Sequence, residues 1–456
     1  MMGTALKDKA EPEYAIDALK KAIGGRVTAY EIFYSEDEGV TVEAKEKTID
    51  SFKVRSGSGI GLRIISGNRL GFGFSSALSV DALRRLADNT IAASVEASED
   101  GFLGFPEKGA EPDFPQDLGI YDGAFYDAPK QRLLKTALEI EDAARAKDPK
   151  IKRVRKAMYQ ESRVFSRVVN SSGMDAKSSA TFFSGSVTAV AEHGAESQMG
   201  WDMETAHLRD AITPGDVGQR AASNALRMLG ARKIKTIRCP AVIENTVAIE
   251  LVEALSSSFL FDNVSKGKSM LAGKIGAAVS SEALNIWDDG ILKGGWATSC
   301  RDGEGSPRKK TELLSGGVLK GYLYDAYWAR RDGKASTGNA MRSGYRGVPS
   351  VGATNLYIEK GALSLEEMLK AMGQGLMVTE LLGVHTINTV SGDFSLGAQG
   401  LWVEGGVAAY PVRGIAIAGN LLELFKRVRC CGADTRFMGS VGSPSLLIEE
   451  IDASGD

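Results

Sequence analysis

The sequence predicts an α+β protein in two domains. Leu381–Asn420 alternates apolar residues with small or polar ones and is interrupted by glycines, which is typical of tightly connected β-strands. Other segments repeat apolar residues at helical spacing, and 456 residues are many for a single hydrophobic core. We therefore expect an α+β N-terminal domain at residues 1–234 and a β-rich C-terminal domain at residues 235–456.

The first part of the chain alternates helices with strands. Ala15, Ile16, Leu19 and Ile23 recur on one helical face, and Ser79 is a residue type that commonly caps a helix N-terminus. The pair Gly67-Asn68, between two apolar runs, indicates a hairpin turn. The predicted elements are helices at Glu13–Ile23 and from Ser79 to about Ser98, and strands at Thr28–Tyr34, Val40–Lys45, Gly59–Ser66 and Leu70–Phe74.

The middle of the chain begins with a loop and continues with strands. Gly104–Asp127 is rich in proline, glycine and acidic residues, which predicts a long ordered loop or linker. Asn170–Gly173 is a turn signal, and Pro214 suits the first turn of a helix. The predicted elements are helices at Pro129–Lys147 and Pro214–Leu229, and strands at Arg153–Gln160, Arg163–Val169, Ala176–Phe183 and Ser186–Glu192.

A proline-bounded strand near residue 235 opens a glycine-rich section, and we place the domain boundary there. Within this section Ser364 and Glu367 form the sequence pattern of a capping box, which marks the start of a helix. The rest of the section is typical of strands and loops. The predicted elements are a strand at Ile237–Ile243, helices at Thr246–Phe259 and Ser364–Met372, and the strands of Leu381–Asn420.

Composition argues against several classes of protein. The formal net charge is −3, whereas nucleic-acid-binding domains are usually basic, and the densest basic run, Lys152–Lys156, is typical of a solvated strand face. Four cysteines do not make a disulfide framework in a chain of this size. The first residues lack the apolar core of a secretion signal, and no apolar run approaches the ~18 residues of a membrane span. We expect a cytoplasmic protein that binds neither nucleic acid nor membrane.

Histidines, cysteines and glycine-rich loops do not form a familiar active site in the sequence. His193, His207 and His385 are too far apart for the helix of a zinc peptidase, which places two histidines around a glutamate. The vicinal pair Cys430-Cys431 is typical of packing as small apolar groups. The string SGSGIG at Ser56–Gly61 leads into a strand, whereas a phosphate-binding loop leads into a helix, so we interpret it as a hairpin turn.

Carboxylates are the remaining candidates for acid–base chemistry or for binding a hard cation. Most of them have the sequence surroundings of turn and rim residues, and Asp393 after Gly392 fits an Asx-type turn. The candidates are Asp288, Asp289, Asp302, Glu304, Asp393 and Glu404. From residue chemistry alone, the chain is a two-domain α+β protein without a visible active site.

Several longer strings are more specific than these fragments. They are DGEGSPRKKTELLSGGVLKGYLYDAYWARR at Asp302–Arg331, STGNAMRSG at Ser336–Gly344, VTELLG at Val378–Gly383, SGDFSLGAQGLWVEGG at Ser391–Gly406 and YPVRGIAIAGNL at Tyr410–Leu421. With GSGIGLRIISGNRLGFGFSS nearer the N-terminus, they resemble the TldD/PmbA family, once called modulators of DNA gyrase, in order over nearly the whole chain. The resemblance implies an α+β N-terminal domain and a β-rich C-terminal domain that encloses a cavity.

The resemblance also implies two kinds of chain with different roles. TldD-type chains carry zinc on an HExxxH helix with a cysteine near the C-terminus. PmbA chains, also called TldE, lack that site and pair with TldD in a metallopeptidase that degrades unfolded peptides and trims peptide precursors. Here the corresponding helix, Thr246–Phe259, has Glu250 and Glu253 but no histidine, and the late cysteine is missing. Two carboxylates without an imidazole could hold a cation weakly, but they make a poor zinc site. The chain is therefore similar to a PmbA/TldE-type subunit without catalytic or metal-binding residues, and zinc is expected in a TldD-type partner.

Three functional hypotheses remain open. The preferred one is a non-catalytic subunit of a TldD/TldE-like peptidase, in which a peptide adds as a strand to a sheet edge near the cavity. Ser391, Gly392 and Asp393 are the residues expected to contact that peptide. The second hypothesis is a metal-free module that binds peptides or a protein as a homodimer. The third is direct action on DNA or gyrase, against which the acidic balance argues.

Overall fold

A computed structural model describes residues 12–109, 115 and 117–455. The helices are α1 (Pro12–Ile23), α2 (Val80–Val95), α3 (Lys130–Ala146), α4 (Pro214–Leu226), α5 (Asn245–Ser256), α6 (Phe261–Ser265), α7 (Ala326–Arg331), α8 (Leu365–Met372) and α9 (Leu421–Lys426). The strands are β1 (Ala29–Lys45), β2 (Thr48–Ser66), β3 (Arg69–Ser75), β4 (Ile151–Asn170), β5 (Asp175–His193), β6 (Glu196–Ala206), β7 (Ile237–Ile243), β8 (Ile286–Asp289), β9 (Lys310–Ser315), β10 (Val318–Leu319), β11 (Ala340–Met341), β12 (Ser350–Val351), β13 (Leu356–Ile358), β14 (Gly375–Leu382), β15 (Asp393–Glu404), β16 (Val407–Asn420), β17 (Val428–Cys431), β18 (Arg436–Met438), β19 (Val441–Ser443) and β20 (Leu446–Ser454). The predicted α+β class is confirmed.

One antiparallel sheet, in the order β3-β2-β1-β4-β5-β6, organises the first half of the chain. Residues alternate between the faces of a strand, so Ile32, Tyr34 and Val42 of β1 point to the same side. Ile32 and Tyr34 pack with α1 and α2, whereas Val42 packs with α3 and α4. A single long sheet therefore carries both helix pairs on one face, and part of its other face packs on the second half of the chain.

Three strands each replace a predicted pair of shorter strands. The sequence predicts pairs of short strands, but β1, β4 and β5 each run without a break for 17, 20 and 19 residues. The acidic residues that interrupt the apolar pattern of β1 are paired within the sheet, since Arg163 of β4 lies 3.1 Å from Glu36 and 3.5 Å from Glu38. Strand β6 was not predicted. The basic run Lys152–Lys156 is confirmed as an exposed strand face, with only Val154 buried.

The helix ends follow local sequence chemistry. Ser79 Oγ accepts a hydrogen bond from the Ala82 N–H at 3.4 Å, which confirms the predicted N-cap of α2. The capping box of Ser364 and Glu367 is present at α8. In the predicted loop Gly104–Asp127, residues 110–114 and 116 lie outside the described residues. No helix of the described segments is both long and apolar enough to cross a membrane.

The glycine string Ser56–Gly61 lies inside β2, so its interpretation as a hairpin turn is wrong. The turn lies further on, at Gly67 and Asn68, whose φ angles of 57° and 58° fit the tight hairpin type that requires two left-handed residues. Within β2, a Cβ on Gly59 would stand 2.3 Å from Cζ of Tyr345, and a Cβ on Gly61 would stand 2.6 Å from the Tyr345 carbonyl oxygen. The glycines therefore make room for the second half of the chain.

The second half contains two six-stranded sheets and a small two-stranded one. Their orders are β10-β9-β8-β13-β19-β18, β16-β15-β14-β7-β20-β17 and β11-β12. Helix α5 contributes Val247 and Leu251 to a core shared with both large sheets, and α8 covers part of β7 and β14 from another side. The predicted boundary at residue 235 falls in the connection between α4 and β7 and remains a prediction.

A buried ion network joins the two halves. Arg63 of β2 lies 2.6 Å from Glu31 of β1 and 2.8 Å from Glu304, and Arg342 also pairs with Glu31. Asp302, close to Glu304 in the chain, accepts hydrogen bonds from three backbone N–H groups, those of Glu304, Ser306 and Ala340. Asp302 thus fixes the backbone of its own loop, whereas Glu31 and Glu304 join the two halves of the chain.

Candidate functional site

A cleft separates β6 and α4 from α5 and β14. Met199 and Trp201 of β6 and Leu382 of β14 are large apolar side chains exposed at the cleft, and Met228 contributes to its lining. Shared lining residues join the cleft to cavities of about 560 Å³ on one side and about 800 Å³ on the other. The cleft thus combines exposed apolar side chains with a strand edge on which no described strand pairs, because β6 is the last strand of its sheet.

Helix α5 presents one half-buried carboxyl group to this cleft. Its apolar side chains enter the core, and Glu250 lies among the cleft residues, near Glu380 of β14. Burial raises the pKa of Glu250 to about 7, and the charges of Glu380 and Glu253 act in the same direction. Gln399 donates a hydrogen bond to Glu380, but no cation among the described residues pairs with Glu250.

The other charged groups of the cleft are paired. Asp202 is buried between Arg220 of α4, at 2.6 Å, and Arg436 of β18. Arg227 forms two hydrogen bonds of 2.7 Å with Glu244 just before α5. These pairs connect α4 and β6 to the second half of the chain, so Glu250 and Glu380 are the cleft carboxylates without a cationic partner among the described residues.

The histidines do not supply ligands for zinc, the metal that the resemblance assigns to TldD-type chains. His193 is exposed at the end of β5, and His385 is exposed in the short turn Val384–Thr386. His207 is buried, with its ring nitrogens 2.6 Å from the Thr181 carbonyl oxygen and 3.0 Å from that of Gly295. Each histidine is thus exposed on its own or held between carbonyl groups.

The cysteines and carboxylates do not supply such a site either. Burial, together with the neighbouring Cys430, raises the pKa of Cys431 to about 12, which disfavours the thiolate that a metal needs. Within the parts of the chain that the structure describes, no group of three or more histidine, cysteine, aspartate or glutamate side chains could hold a metal ion. The described residues do not fit a zinc site.

The predicted contact residues Ser391, Gly392 and Asp393 form a closed turn. Asn420 donates hydrogen bonds to the Ser391 carbonyl oxygen at 2.8 Å and to Asp393 Oδ1 at 3.0 Å, while Ser391 Oγ donates to Asp393 Oδ2 at 2.8 Å. Strand β15, which follows, pairs with β14 from Gly397 to Val403 and with β16 along its length. Most of β15 therefore has no free edge for an added strand.

The cleft residues of β6 escaped the sequence-based prediction. Met199 and Trp201 lie on a strand that was not predicted, although Met199, Trp201 and Met203 alternate with small or polar residues as in a half-buried strand. Glu380 lies within the string VTELLG, which carries part of the resemblance but gives no sign that this glutamate faces Glu250. Only Glu250 and Glu253 on the helix could be singled out from the sequence, through the missing histidines.

Replacement of Glu250 by glutamine is expected to stabilise the fold above neutral pH. Because the folded-state pKa is raised, the folded chain binds more protons than the unfolded chain between about pH 4.5 and pH 7. The ionised Glu250 carboxylate therefore lowers the free energy of unfolding by its full amount above this pH window and has no effect below it. After allowance for solvent screening, we expect Glu250→Gln to add about 1 kcal/mol to the free energy of unfolding at pH 8 and almost nothing at pH 4.5.

Urea unfolding at the two pH values measures this difference. Glu253→Gln is the matched control, because Glu253 is exposed on the same helix, and its effect should stay within about 0.5 kcal/mol. A destabilised Glu250→Gln variant at pH 8 would show that the ionised carboxylate has a stabilising partner, contrary to the geometry of the cleft.

Models of one known protein family match most of the chain. Residues 30–94 match domain 1 of the PmbA/TldA metallopeptidases, residues 124–229 match the central domain, and residues 236–455 match the C-terminal domain. The chain is similar to Metalloprotease PmbA of Escherichia coli O157:H7, with 27% identity over 444 residues that cover 97% of this chain and 96% of that protein. It is also similar to a Metalloprotease TldD homolog of Buchnera aphidicola, with 25% identity over 430 residues covering 88% and 87%.

Solved structures share this fold over their whole length. A proposed modulator of a DNA gyrase from Thermotoga maritima superposes with a TM-score of 0.88 at 27% identity, covering 97% of this chain and 100% of that chain. TldE from Thermococcus kodakarensis superposes with a TM-score of 0.88 and the same coverage; at 22% identity this likeness shows the fold alone. With three consecutive domain models matched in order, the chain belongs to the PmbA/TldD metallopeptidase family.

Proposed function

We propose that this chain is the PmbA/TldE-type subunit of a TldD/TldE-like zinc metallopeptidase that acts on unfolded peptides and peptide precursors. A TldD-like partner with an HExxxH helix would supply the zinc. The observation that carries the proposal is helix α5, which presents the unpaired Glu250 to the cleft but no imidazole or thiol. The names of the PmbA and TldD relatives support a protease-related role.

The cleft favours binding of an extended peptide along β6. The Trp201 carbonyl oxygen accepts a hydrogen bond from Asn224 at 3.0 Å and that of Met203 accepts one from Arg436 at 2.9 Å, so their edge points toward the cleft. No described strand pairs with this edge. A peptide adding there would replace the contacts of Asn224 and Arg436 with backbone hydrogen bonds that do not depend on its sequence. Trp201 and Met199 would offer apolar contacts to its side chains.

The alternative function is a metal-free module that binds peptides or a protein as a homodimer. The same apolar cleft supports it, since a captured segment needs no zinc. Both functions fit the expected cytoplasmic location. Direct action on DNA or gyrase has the weakest support, because the net charge of −3 leaves no excess cationic charge to neutralise phosphates.

Mixing the chain with a TldD-like HExxxH protein distinguishes these functions. We expect native mass spectrometry to show a one-to-one heterodimer and expect cleavage of an unfolded peptide only in the mixture. Trp201→Ala should reduce cleavage by the mixture several-fold, whereas Val407→Ala, at another exposed apolar residue, should leave it unchanged. A chain that remains a homodimer after mixing, with no gain of cleavage, would favour the alternative.

A further inference from the structure

Another cavity, of about 770 Å³, lies where residues 97–105 meet α6 and α7. None of its lining residues lines the α5 cleft or the two cavities joined to it. Its volume lies in the range of small-molecule and short-peptide sites, about 300–1,000 Å³. The cavity is therefore a separate feature, formed between the two halves of the chain.

Two carboxylate oxygens at this cavity lack hydrogen-bond donors. Asp325 is only 4% exposed, and its Oδ1 caps α7 by accepting the Trp328 N–H at 2.8 Å. No donor among the described residues reaches its Oδ2. Asp262 of α6 pairs through Oδ2 with Lys266 at 2.9 Å, whereas its buried Oδ1 has no partner. A buried carboxylate oxygen without a donor, as Asp262 Oδ1 is, is costly and needs an explanation, whereas the unpaired Asp325 Oδ2 is open to the cavity.

Two of the four cations that line the cavity, Arg63 and Arg330, are committed elsewhere. Arg63 donates to Glu31 and Glu304, and Arg330 donates to the carbonyl oxygens of Phe102 and Gly104. Neither guanidinium forms a hydrogen bond with Asp325, although both are close enough to influence charge there. The buried carboxylate thus faces open space instead of a cation of the chain.

Trp328 supplies an apolar surface beside this carboxylate. Its backbone N–H binds Asp325, and it lines the cavity. Its ring attracts Lys266 Nζ at 5.4 Å and the Arg331 guanidinium carbon at 5.3 Å from the centroid. An indole face next to a buried carboxylate is a combination that recognises a cation on an apolar stem.

We propose that this cavity binds a primary ammonium group on an aliphatic stem, which donates hydrogen bonds to Asp325 Oδ2 while the stem lies against Trp328. Such a group occurs as a lysine side chain, as the N-terminal ammonium of a peptide, or as a free alkylamine. An ammonium carries three donors and would satisfy the oxygen that the chain leaves open. Burial, with the charges of Glu304 and Asp262, raises the pKa of Asp325 to about 6, as expected for a carboxyl group that lacks its counter-ion.

Calorimetric titration of the full chain with matched ligands tests the proposal. The probes are an alanine-rich hexapeptide blocked at both ends with one lysine, the same peptide with norleucine for lysine, the norleucine peptide with a free N-terminus, and cadaverine. We expect at least one of the three ammonium-bearing probes to bind about tenfold more tightly than the blocked norleucine peptide. The probe that does so identifies the source of the ammonium group.

Asp325→Asn should abolish this preference, because asparagine keeps the cap of α7 but carries no charge. Glu99→Gln, at the exposed rim of the same cavity, should keep it. Asp262→Asn provides a second test and should weaken ammonium binding, and thermal melts verify that each variant is folded. Equal affinities for all four probes, or a folded Asp325→Asn variant that keeps the preference, would overturn the proposal. Neither result depends on zinc or on a partner chain.

Discussion

Arg63→Met is expected to lower the free energy of unfolding by about 3–5 kcal/mol at pH 7, because it leaves buried carboxylates without their shared cation. Arg63 bridges Glu31 and Glu304, which are 1% and 2% exposed. Equilibrium unfolding in urea, followed by fluorescence, measures the change. Arg26→Met is the control, since Arg26 pairs with Asp88 at the surface and its loss should cost at most about 1 kcal/mol.

The pH dependence of this loss tests its electrostatic origin. Burial tends to raise the pKa of Glu31, but the charges of Arg342 and Arg63 outweigh burial and leave the pKa lowered. The stability that Glu31 contributes is therefore present above its unfolded pKa and is lost as the pH falls through its folded pKa. Without Arg63, Glu31 takes up a proton at higher pH, so the difference between variant and wild type should shrink toward about pH 4. A difference that does not change with pH would indicate lost packing instead.

Gly59→Ala is expected to destabilise the contact between the halves by about 3 kcal/mol through overpacking. The added Cβ would stand 2.3 Å from Cζ and 2.4 Å from Cε2 of Tyr345, whose ring is buried against β2. The ring packs with Phe33 and Val168 and therefore cannot turn away freely. Thermal unfolding and limited proteolysis near residue 345 would both report the displaced loop.

A double-mutant cycle separates this clash from a loss of glycine flexibility. Tyr345→Ala alone should be destabilising, but Gly59→Ala added to it should cost less than about 0.5 kcal/mol, because the ring is gone. If Gly59→Ala costs as much without the ring as with it, backbone conformation and not Tyr345 explains the glycine.

Elements with strong local signals could be predicted from the sequence. Helix α8 has a complete capping box and α1 a regular apolar face, and both lie within two residues of their predicted bounds. Strand lengths were not predictable, because Glu36 and Glu38 interrupt the apolar pattern of β1 and only the tertiary fold places Arg163 beside them. Likewise, nothing local to Ser56–Gly61 indicates that Tyr345, nearly 300 residues later, packs against it.

The same distinction applies to the candidate site. The missing histidines of α5 could be read directly from the sequence, whereas the contact of α5 with β6 and β14 depends on how distant segments pack. Asp325 could be predicted as a helix cap only once α7 was known, and the lack of a donor for its second oxygen is a property of the assembled cavity. Features that depend on local sequence could therefore be predicted. The side chains that distant segments bring next to them could not.

The most direct test of the central claim is the zinc content and peptidase activity of the purified chain, measured together. The expectation is fewer than about 0.1 zinc ions per chain after dialysis, since no group of the described residues forms a zinc site. It includes no cleavage of unfolded peptides by the chain alone, and zinc-dependent cleavage after a TldD-like partner is added. One tightly bound zinc ion per chain, with cleavage by the chain alone, would contradict it.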